Sequence, residues 1–171
     1  FFVPPGGIVA VAAGTYKEDL DFNSSVRLWG RCPALVEVVG IGAEFGGPIH
    51  VSTDPTELVE IHDLAVTGSG QKNSMAGVSI YEAGPTLLDR VWAHDLPDLE
   101  GISILTDTPG EAPVGHAIRG SLIEQIACPG VDLAGGDLTV EDTVVRDCLP
   151  DAEANGVGVG LDAISAQPFT G

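Results

Sequence analysis

A four-residue phrase recurs along this chain: a glycine, an apolar residue, one variable residue and a second apolar residue. The copies begin at Gly77, Gly101, Gly130 and Gly158, roughly every 24 to 29 residues. Between them lies a second apolar segment, and its copies start at Ile61, Leu88, Ile118 and Val140. A period of this size, with two-residue alternation inside each unit, is typical of a solenoid whose repeats bury their apolar sides against one another.

Composition favours short strands over helices. The 171 residues include 23 glycines and 12 prolines, which leave little room for the ~10–12 uninterrupted residues of a helical stripe. The clearest strand candidates are β-branched, such as residues 7–11 and 58–61. No apolar run approaches the ~18 residues needed to span a membrane. We therefore expect one all-β domain over residues 1–171, without a membrane span.

The charge balance excludes several partners. The net charge is −18, from 25 acidic and 7 basic residues, so the chain would repel nucleic acid and anionic membrane surfaces. Abundant carboxylates alone do not make a calcium site, which needs clustered oxygen ligands. No loop with regular ligand spacing is visible, so the sequence predicts no metal site and no cofactor, and calcium remains possible without a supporting motif.

The three cysteines, Cys32, Cys128 and Cys148, have no metal-ligand spacing. Cys32 lies far from the other two in sequence, and we expect it to be unpaired. Cys128 and Cys148 are about one repeat apart, so they form either a disulfide or two buried thiols. Since the chain opens at Phe1 without a methionine, we expect it to be a segment of a longer protein.

The second segment aligns as four seven-residue copies, at residues 61–67, 88–94, 118–124 and 140–146. The first position is aliphatic. The second and third are polar or glycine, which predicts a bend. By strand alternation, the fourth and sixth positions point inward, and the fifth and seventh point outward.

A strand, a bend, a second strand, a loop and a glycine-led strand make one unit. This unit resembles a coil of the single-stranded right-handed parallel β-helix, the pectin-lyase-like superfamily. Residues 8–20 resemble the first coil of pectin methylesterase-like proteins, with residues 26–30 as its third strand. Residues 31–37 are similar to a stretch in secreted or surface repeat proteins of myxobacteria. The resemblance implies about five to six coils, a secreted or cell-surface location, and polysaccharide as a partner.

Enzymes of that superfamily act on acidic polysaccharides, but their signatures are incomplete here. The adjacent aspartate pair of polygalacturonase-like hydrolases and the Arg-x-Pro-x-x-Arg motif of pectate lyases are absent. Gly115-His116-Ala117 matches a hydrolase motif in part, and Val91 to Asp95 echoes a lyase motif with its last two residues exchanged. We therefore expect a noncatalytic repeat domain, a spacer or interaction surface with glycan binding. The alternative is a polysaccharide lyase, hydrolase or epimerase.

Outward positions of successive coils should stack about 4.8 Å apart. The second aligned position then reads His62, Asp89, Arg119, Glu141, and the seventh reads Thr67, His94, Glu124, Arg146. Opposite charges adjoin at most steps, and such cross-strand pairs are worth about 0.2–1 kcal/mol each. We expect Arg90, Arg119 and Arg146 to serve these ladders rather than catalysis.

His94 and Asp95 are the candidate catalytic pair, since a histidine beside a carboxylate can act as a general base. Adjacent strand residues face opposite ways, however, so a direct hydrogen bond would need a turn at that point.

The fifth aligned position predicts an apolar outward stripe of Ala65, Trp92, Leu122 and Val144. Such a stripe marks an interface, either for self-association or for a glycan that stacks on Trp92. We expect Trp92 to be covered by a loop, another chain or a ligand. The ligand-binding candidates are Trp92, His94, Glu124 and Arg146.

Overall fold

The computed structural model describes residues 4–42, 46–68, 76–106, 114–127, 129–149 and 161–164. Within these ranges the chain consists of strands, turns and bends without a helix, and each strand pairing is parallel. The all-β expectation is confirmed. In this described part of the chain, nothing forms a helix long and apolar enough to cross a membrane.

The described strands form two sheets. The larger sheet has ten: β1 (Gly7–Ala10), β2 (Gly14–Lys17), β4 (Val26–Trp29), β5 (Val36–Val39), β7 (Val59–Thr67), β9 (Thr86–Leu96), β11 (Gly115–Arg119), β12 (Leu122–Ile126), β14 (Asp137–Glu141) and β15 (Val144–Arg146). The smaller sheet has six: β3 (Leu20–Phe22), β6 (Ile49–Ser52), β8 (Ala76–Tyr81), β10 (Glu100–Leu105), β13 (Val131–Ala134) and β16 (Leu161–Ile164).

In the described ranges the strand order passes from the larger sheet to the smaller one six times and returns five times. The main path of the larger sheet runs β1-β4-β7-β9-β11-β14, and the smaller sheet runs β3-β6-β8-β10-β13-β16. Neighbouring strands are therefore one repeat apart. We number the repeats 1 to 6, over residues 7–22, 26–52, 59–81, 86–105, 115–134 and 137–164. This arrangement is consistent with a parallel β-helix.

The predicted register of the second segment is confirmed. The residues at its first position pair with one another in successive repeats: Ile61 pairs with Leu88, Leu88 with Ile118, and Ile118 with Val140. The predicted bend is also present, because the third position has a positive φ of 49° to 57° in all four copies, at Asp63, Arg90, Gly120 and Asp142. We call this point the first bend.

One apolar core lies between the two sheets. The residues expected inside the glycine-led strands are all buried: Val78, Ile80, Ile102, Ile104, Val131 and Leu133. The inward positions of the larger sheet join the same cluster, among them Leu64, Val91 and Ile123. The predicted alternation therefore holds on both sheets.

At the recurring glycines the backbone lies close to side chains of the larger sheet. A Cβ atom at these positions would come within 3.0 Å of a large-sheet side chain: Leu96 for Gly77, Ile123 for Gly101, and Val145 for Gly130. Real Cβ atoms essentially never approach so closely. The glycine period is thus a steric requirement of the packing, and we call these three residues the glycine column.

Two alignments of the sequence analysis were wrong. Residues 26–30 do not supply the third strand of the first unit, because β4 pairs with β1 and so begins repeat 2, whereas β3 is the third strand. The fourth glycine-led copy is displaced as well. Leu161 pairs with Val131, not with Leu133 as the phrase at Gly158 implied. The shift of two residues preserves the alternation.

Some predictions concern residues outside the described ranges. These predictions are the state of Cys128 and most of the expected corner insertions, at residues 67–76, 107–114 and 149–155. Cys32 is a half-buried free thiol, and Cys148 is half-buried and packs against the core.

The glycine column can be tested with one methyl group. Gly101→Ala should lower the free energy of unfolding by about 1–3 kcal/mol, as in other overpacked cores, because the new Cβ would meet Ile123 and the carbonyl of Gly130. Gly115→Ala is the matched control, since nothing lies within 4 Å of its Cβ position. Urea denaturation measures both, and equal stabilities would contradict the packing argument.

His116 is an ionisable group inside the core. It occupies an inward position between Thr86 and Leu138 in register, and only 2% of it is exposed. Among the described residues, neither ring nitrogen has a hydrogen-bond partner. Desolvation lowers the pKa of His116 below its ordinary value, and the charge of Asp137 opposes this in part.

Acidification should therefore destabilise the chain through His116. Because the folded-state pKa of His116 is lowered, the unfolded state binds a proton at a higher pH than the folded state does. The full contribution of neutral His116 to stability is therefore present above the unfolded-state pKa of about 6.5. That contribution is lost as the pH falls below this value through the folded-state pKa. His116→Leu, which matches Leu138 in the next repeat, should reduce the pH dependence of urea unfolding in this window. Parallel pH profiles for the two proteins would contradict the assignment.

Candidate ligand-binding site

The four ligand-binding candidates lie together on the outer face of the larger sheet. On β9, Val91 and Ala93 are buried inside, so Trp92 and His94 point outward. His94 pairs in register with Glu124, which pairs with Arg146. We call this group, with the neighbouring Asp95 and Glu37, the Trp92 cluster.

Glu124 connects the cluster across three repeats. The indole Nε1 of Trp92 donates a 3.0 Å hydrogen bond to Glu124 Oε1. Arg146 donates a 2.7 Å hydrogen bond from Nε to the other oxygen, and its Nη2 lies 2.6 Å from the same oxygen. Both carboxylate oxygens are therefore occupied, and Trp92 is fixed in its orientation by a charge-assisted contact.

His94 stacks on Trp92, with ring centroids 3.8 Å apart and an interplanar angle of 26°. Its Nδ1 donates to Asp95 Oδ2 at 2.9 Å. The sequence-based expectation that the two residues would not hydrogen-bond directly was therefore wrong. A positive φ of 51° at Asp95 breaks the alternation and turns its carboxylate back toward the ring. This is the turn that the expectation named as its exception.

The second ring nitrogen of His94 is closed off. Nε2 is buried and has no hydrogen-bond partner within the described ranges, and Glu37 Oε1 lies 3.9 Å away. Neither nitrogen is thus placed to exchange a proton with a molecule in solution. The pair has the composition of a general base but not the required access.

The predicted apolar stripe is not continuous. Ala65, beside Trp92 in register, is only 1% exposed, whereas Val144 is 51% exposed and Leu122 is half-buried. Trp92 itself is half-buried, with the His94 ring stacked on it from the same strand. A side chain of the same face therefore contributes to the cover of the indole, in addition to the loop, chain or ligand that the sequence analysis considered.

The arginines pair as the ladder prediction requires. Arg90 donates to Asp63 at 2.6 Å across neighbouring repeats and also contacts Asp89. Its hydrogen bond lowers the pKa of the Asp63 carboxyl below its ordinary value. Arg119 lies 3.0 Å from Glu141. Two more contacts extend the ladder, His62 to Asp89 at 3.4 Å and Arg27 to Glu60 at 2.8 Å.

A second bend follows the seventh aligned position. Asp95, Gln125 and Asp147 all have a positive φ of 51° to 54°, and they succeed the paired residues His94, Glu124 and Arg146. Beside this bend an open groove of about 560 Å³ crosses repeats 2 to 6. Its lining residues are Val39, Gly40, Thr67, Gly68, Asp95, Pro97, Gln125 and Leu149. We call it the corner groove.

Glu37 and the corner groove were missed in the sequence analysis. The aligned copies ended at the seventh position, one residue short of the second bend. The residues that follow are Gly68, Asp95, Gln125 and Asp147, and glycine and aspartate are among the residues that accept a positive φ most readily. An eighth column in the alignment would have shown this bend.

No group of three or more histidine, cysteine or acidic residues that could hold a metal ion occurs in the described ranges. No protein-family model, curated protein or solved structure matches this chain. The candidate site therefore depends on its own geometry. Trp92, fixed by Glu124, stacks on His94, and the hydrogen-bond partner of His94, Asp95, lines the corner groove.

Glu124 should control the position of Trp92. In a Trp29→Phe background, where Trp92 is the only tryptophan left, Glu124→Leu removes the acceptor of the indole N–H. We expect stronger acrylamide quenching and a shift in emission. Glu124→Gln keeps an acceptor and should change both much less. Equal quenching in the two variants would show that the hydrogen bond does not hold the ring.

Proposed function

We propose that this chain is a right-handed parallel β-helix of the pectin-lyase-like superfamily, acting as a noncatalytic, glycan-binding repeat domain of an exported protein. The parallel pairing of the strands, the register shared by successive repeats and the bends with positive φ support the fold assignment. Such a domain is a rigid spacer that presents one long face to a partner.

One observation carries the glycan-binding proposal: an outward tryptophan, fixed by a carboxylate, is connected through His94 and Asp95 to a groove that crosses five repeats. The groove is about 19 Å long, because five repeats are separated by four spacings of about 4.8 Å. That length suits a linear polymer better than a single small molecule. The apolar Pro97 and the polar Thr67 and Gln125 provide the mixture of contacts that a sugar chain uses.

The contacts of the Trp92 cluster favour binding over catalysis. Both oxygens of Glu124 are occupied by Trp92 and Arg146, and His94 has one nitrogen on Asp95 and the other buried. A general acid or base must reach the reacting atom directly or through one water. These groups instead hold one another in place, as the members of a binding platform do.

The alternative is a polysaccharide lyase, hydrolase or epimerase. The 2.9 Å hydrogen bond between His94 and Asp95 favours it, since a carboxylate on Nδ1 orients a histidine for base catalysis through Nε2. This mechanism would require Nε2 to become accessible when substrate binds, by displacement of the neighbouring Glu37.

Trp92→Ala should weaken glycan binding at least about tenfold, since loss of ring stacking and apolar contact is worth about 1.4 kcal/mol or more. Trp29→Ala is the matched control. Trp29 is also outward and 41% exposed, but it lies on the other side of the first bend, edge-on to His62. A glycan array with the full chain, with and without calcium, identifies ligands, and calorimetry compares the variants.

Equal loss in the two tryptophan variants would exclude the Trp92 face as the binding surface. Turnover of a polysaccharide by the purified chain, abolished in Asp95→Asn, would establish the enzyme alternative instead. Circular dichroism of each variant shows whether the strands remain folded.

A further inference from the structure

Two repeats lack side chains along the corner groove. Directly after the seventh aligned position, repeats 2 and 3 have Gly40 and Gly68, whereas repeats 4 and 5 have Asp95 and Gln125, and all four residues line the groove. Asp147 has the same position in repeat 6 but lies outside the lining. Gly40 N donates to Thr67 O at 2.8 Å, which keeps the two glycine repeats in register. A ligand in the groove would therefore lie over the glycines and reach the polar side chains of the following repeats.

The charges beside this groove are mainly negative. Asp95 and Asp147 have side chains 64% and 65% exposed, and exposed Glu18 lies at the repeat-1 end, next to the Lys17 that pairs with Val39. The bases on this side are Lys17 and Arg146. Arg146 is bound to Glu124 and also lies 3.8 Å from Asp147, whose charge it neutralises in part. The whole chain adds a net charge of −18, so a polyanion would be repelled.

We infer that the ligand of the corner groove is a linear polymer of amino sugars with protonated amino groups. This inference rests on the proposed glycan-binding function and specifies its substrate class. An ammonium group would pair with Asp95, which lines the groove and has a side chain that is 64% exposed. The hydroxyl groups would bond to Gln125 and Thr67, and the C–H faces of the sugar rings would contact Val39, Pro97 and Leu149.

A basic peptide has the same charge but fits the groove less well. Extended peptides bind by adding a strand to a free sheet edge, where unpaired backbone groups receive them. The groove instead crosses strands whose backbones are already paired: Val39 pairs with Thr67, and Ile126 pairs with Leu96. The shape and the paired backbone therefore favour a sugar polymer.

The test compares three oligosaccharides of equal length with the full chain by calorimetry: a fully deacetylated glucosamine oligomer, its N-acetylated form and an oligogalacturonate. At mildly acidic pH the deacetylated oligomer should bind best and the oligogalacturonate worst. Added salt should weaken the first selectively, because exposed charges are screened.

Asp95→Asn should weaken binding of the deacetylated oligomer about two- to fivefold, as expected for one exposed ion pair, and should leave the N-acetylated form unaffected. Asp21→Asn makes the same charge change at an exposed position of the smaller sheet and should have no effect. Equal binding of the amino and N-acetylated oligomers would overturn the inference and leave the glycan-binding function intact. Equal binding of a lysine oligomer would also overturn it, as nonspecific charge attraction. Absence of binding by every glycan would overturn the proposed function itself.

Discussion

The close approach of the two sheets along the glycine column is the constraint on which the rest of the structure depends. Gly77, Gly101 and Gly130 each present a bare Cα to a large apolar side chain of the opposite sheet. This close approach recurs in repeats 3 to 5, so it sets the distance between the two sheets and the register of their strands there. Once that register is set, the outward residues of successive repeats stack in columns. The charge ladders and the Trp92 cluster are consequences of that register.

The regular part of this register could be predicted from the sequence, and the irregular part could not. The pairs of Leu88 with Ile61 and Ile118 follow from the repeated pattern alone, since a slip of one residue would turn the apolar side outward. A slip of two residues preserves alternation, so the pattern could not exclude the displacement of Leu161. Repeats 1 and 2 have different loop lengths, which is why residues 26–30 were assigned to the wrong strand. The period of the apolar pattern locates the repeats, but the loop lengths decide which residues of neighbouring repeats pair.

The candidate site shows the same division. Alternation brought Trp92, His94, Glu124 and Arg146 to one face, as the structure has them. It failed at Asp95, because one residue with positive φ reverses the direction of the side chain. The corner groove was harder still to foresee. Two of its lining residues, Gly40 and Gly68, have no side chain, and a missing side chain has no signature in a pattern of apolar and polar residues.

The ladders also determine which ligands remain attractive to this surface. Arg27, Arg90, Arg119 and Arg146 each neutralise a neighbouring carboxylate, so little positive charge is left to receive an anion. An exposed ion pair contributes little stability by itself. In this strongly acidic chain, however, the ion pairs occupy most of the few basic side chains. The excess carboxylates then remain at the bends, where aspartate also satisfies a positive φ. Aspartate thus both forms the bend and gives the adjacent groove its negative charge. In this way the geometry of the fold determines the ligand preference of the surface.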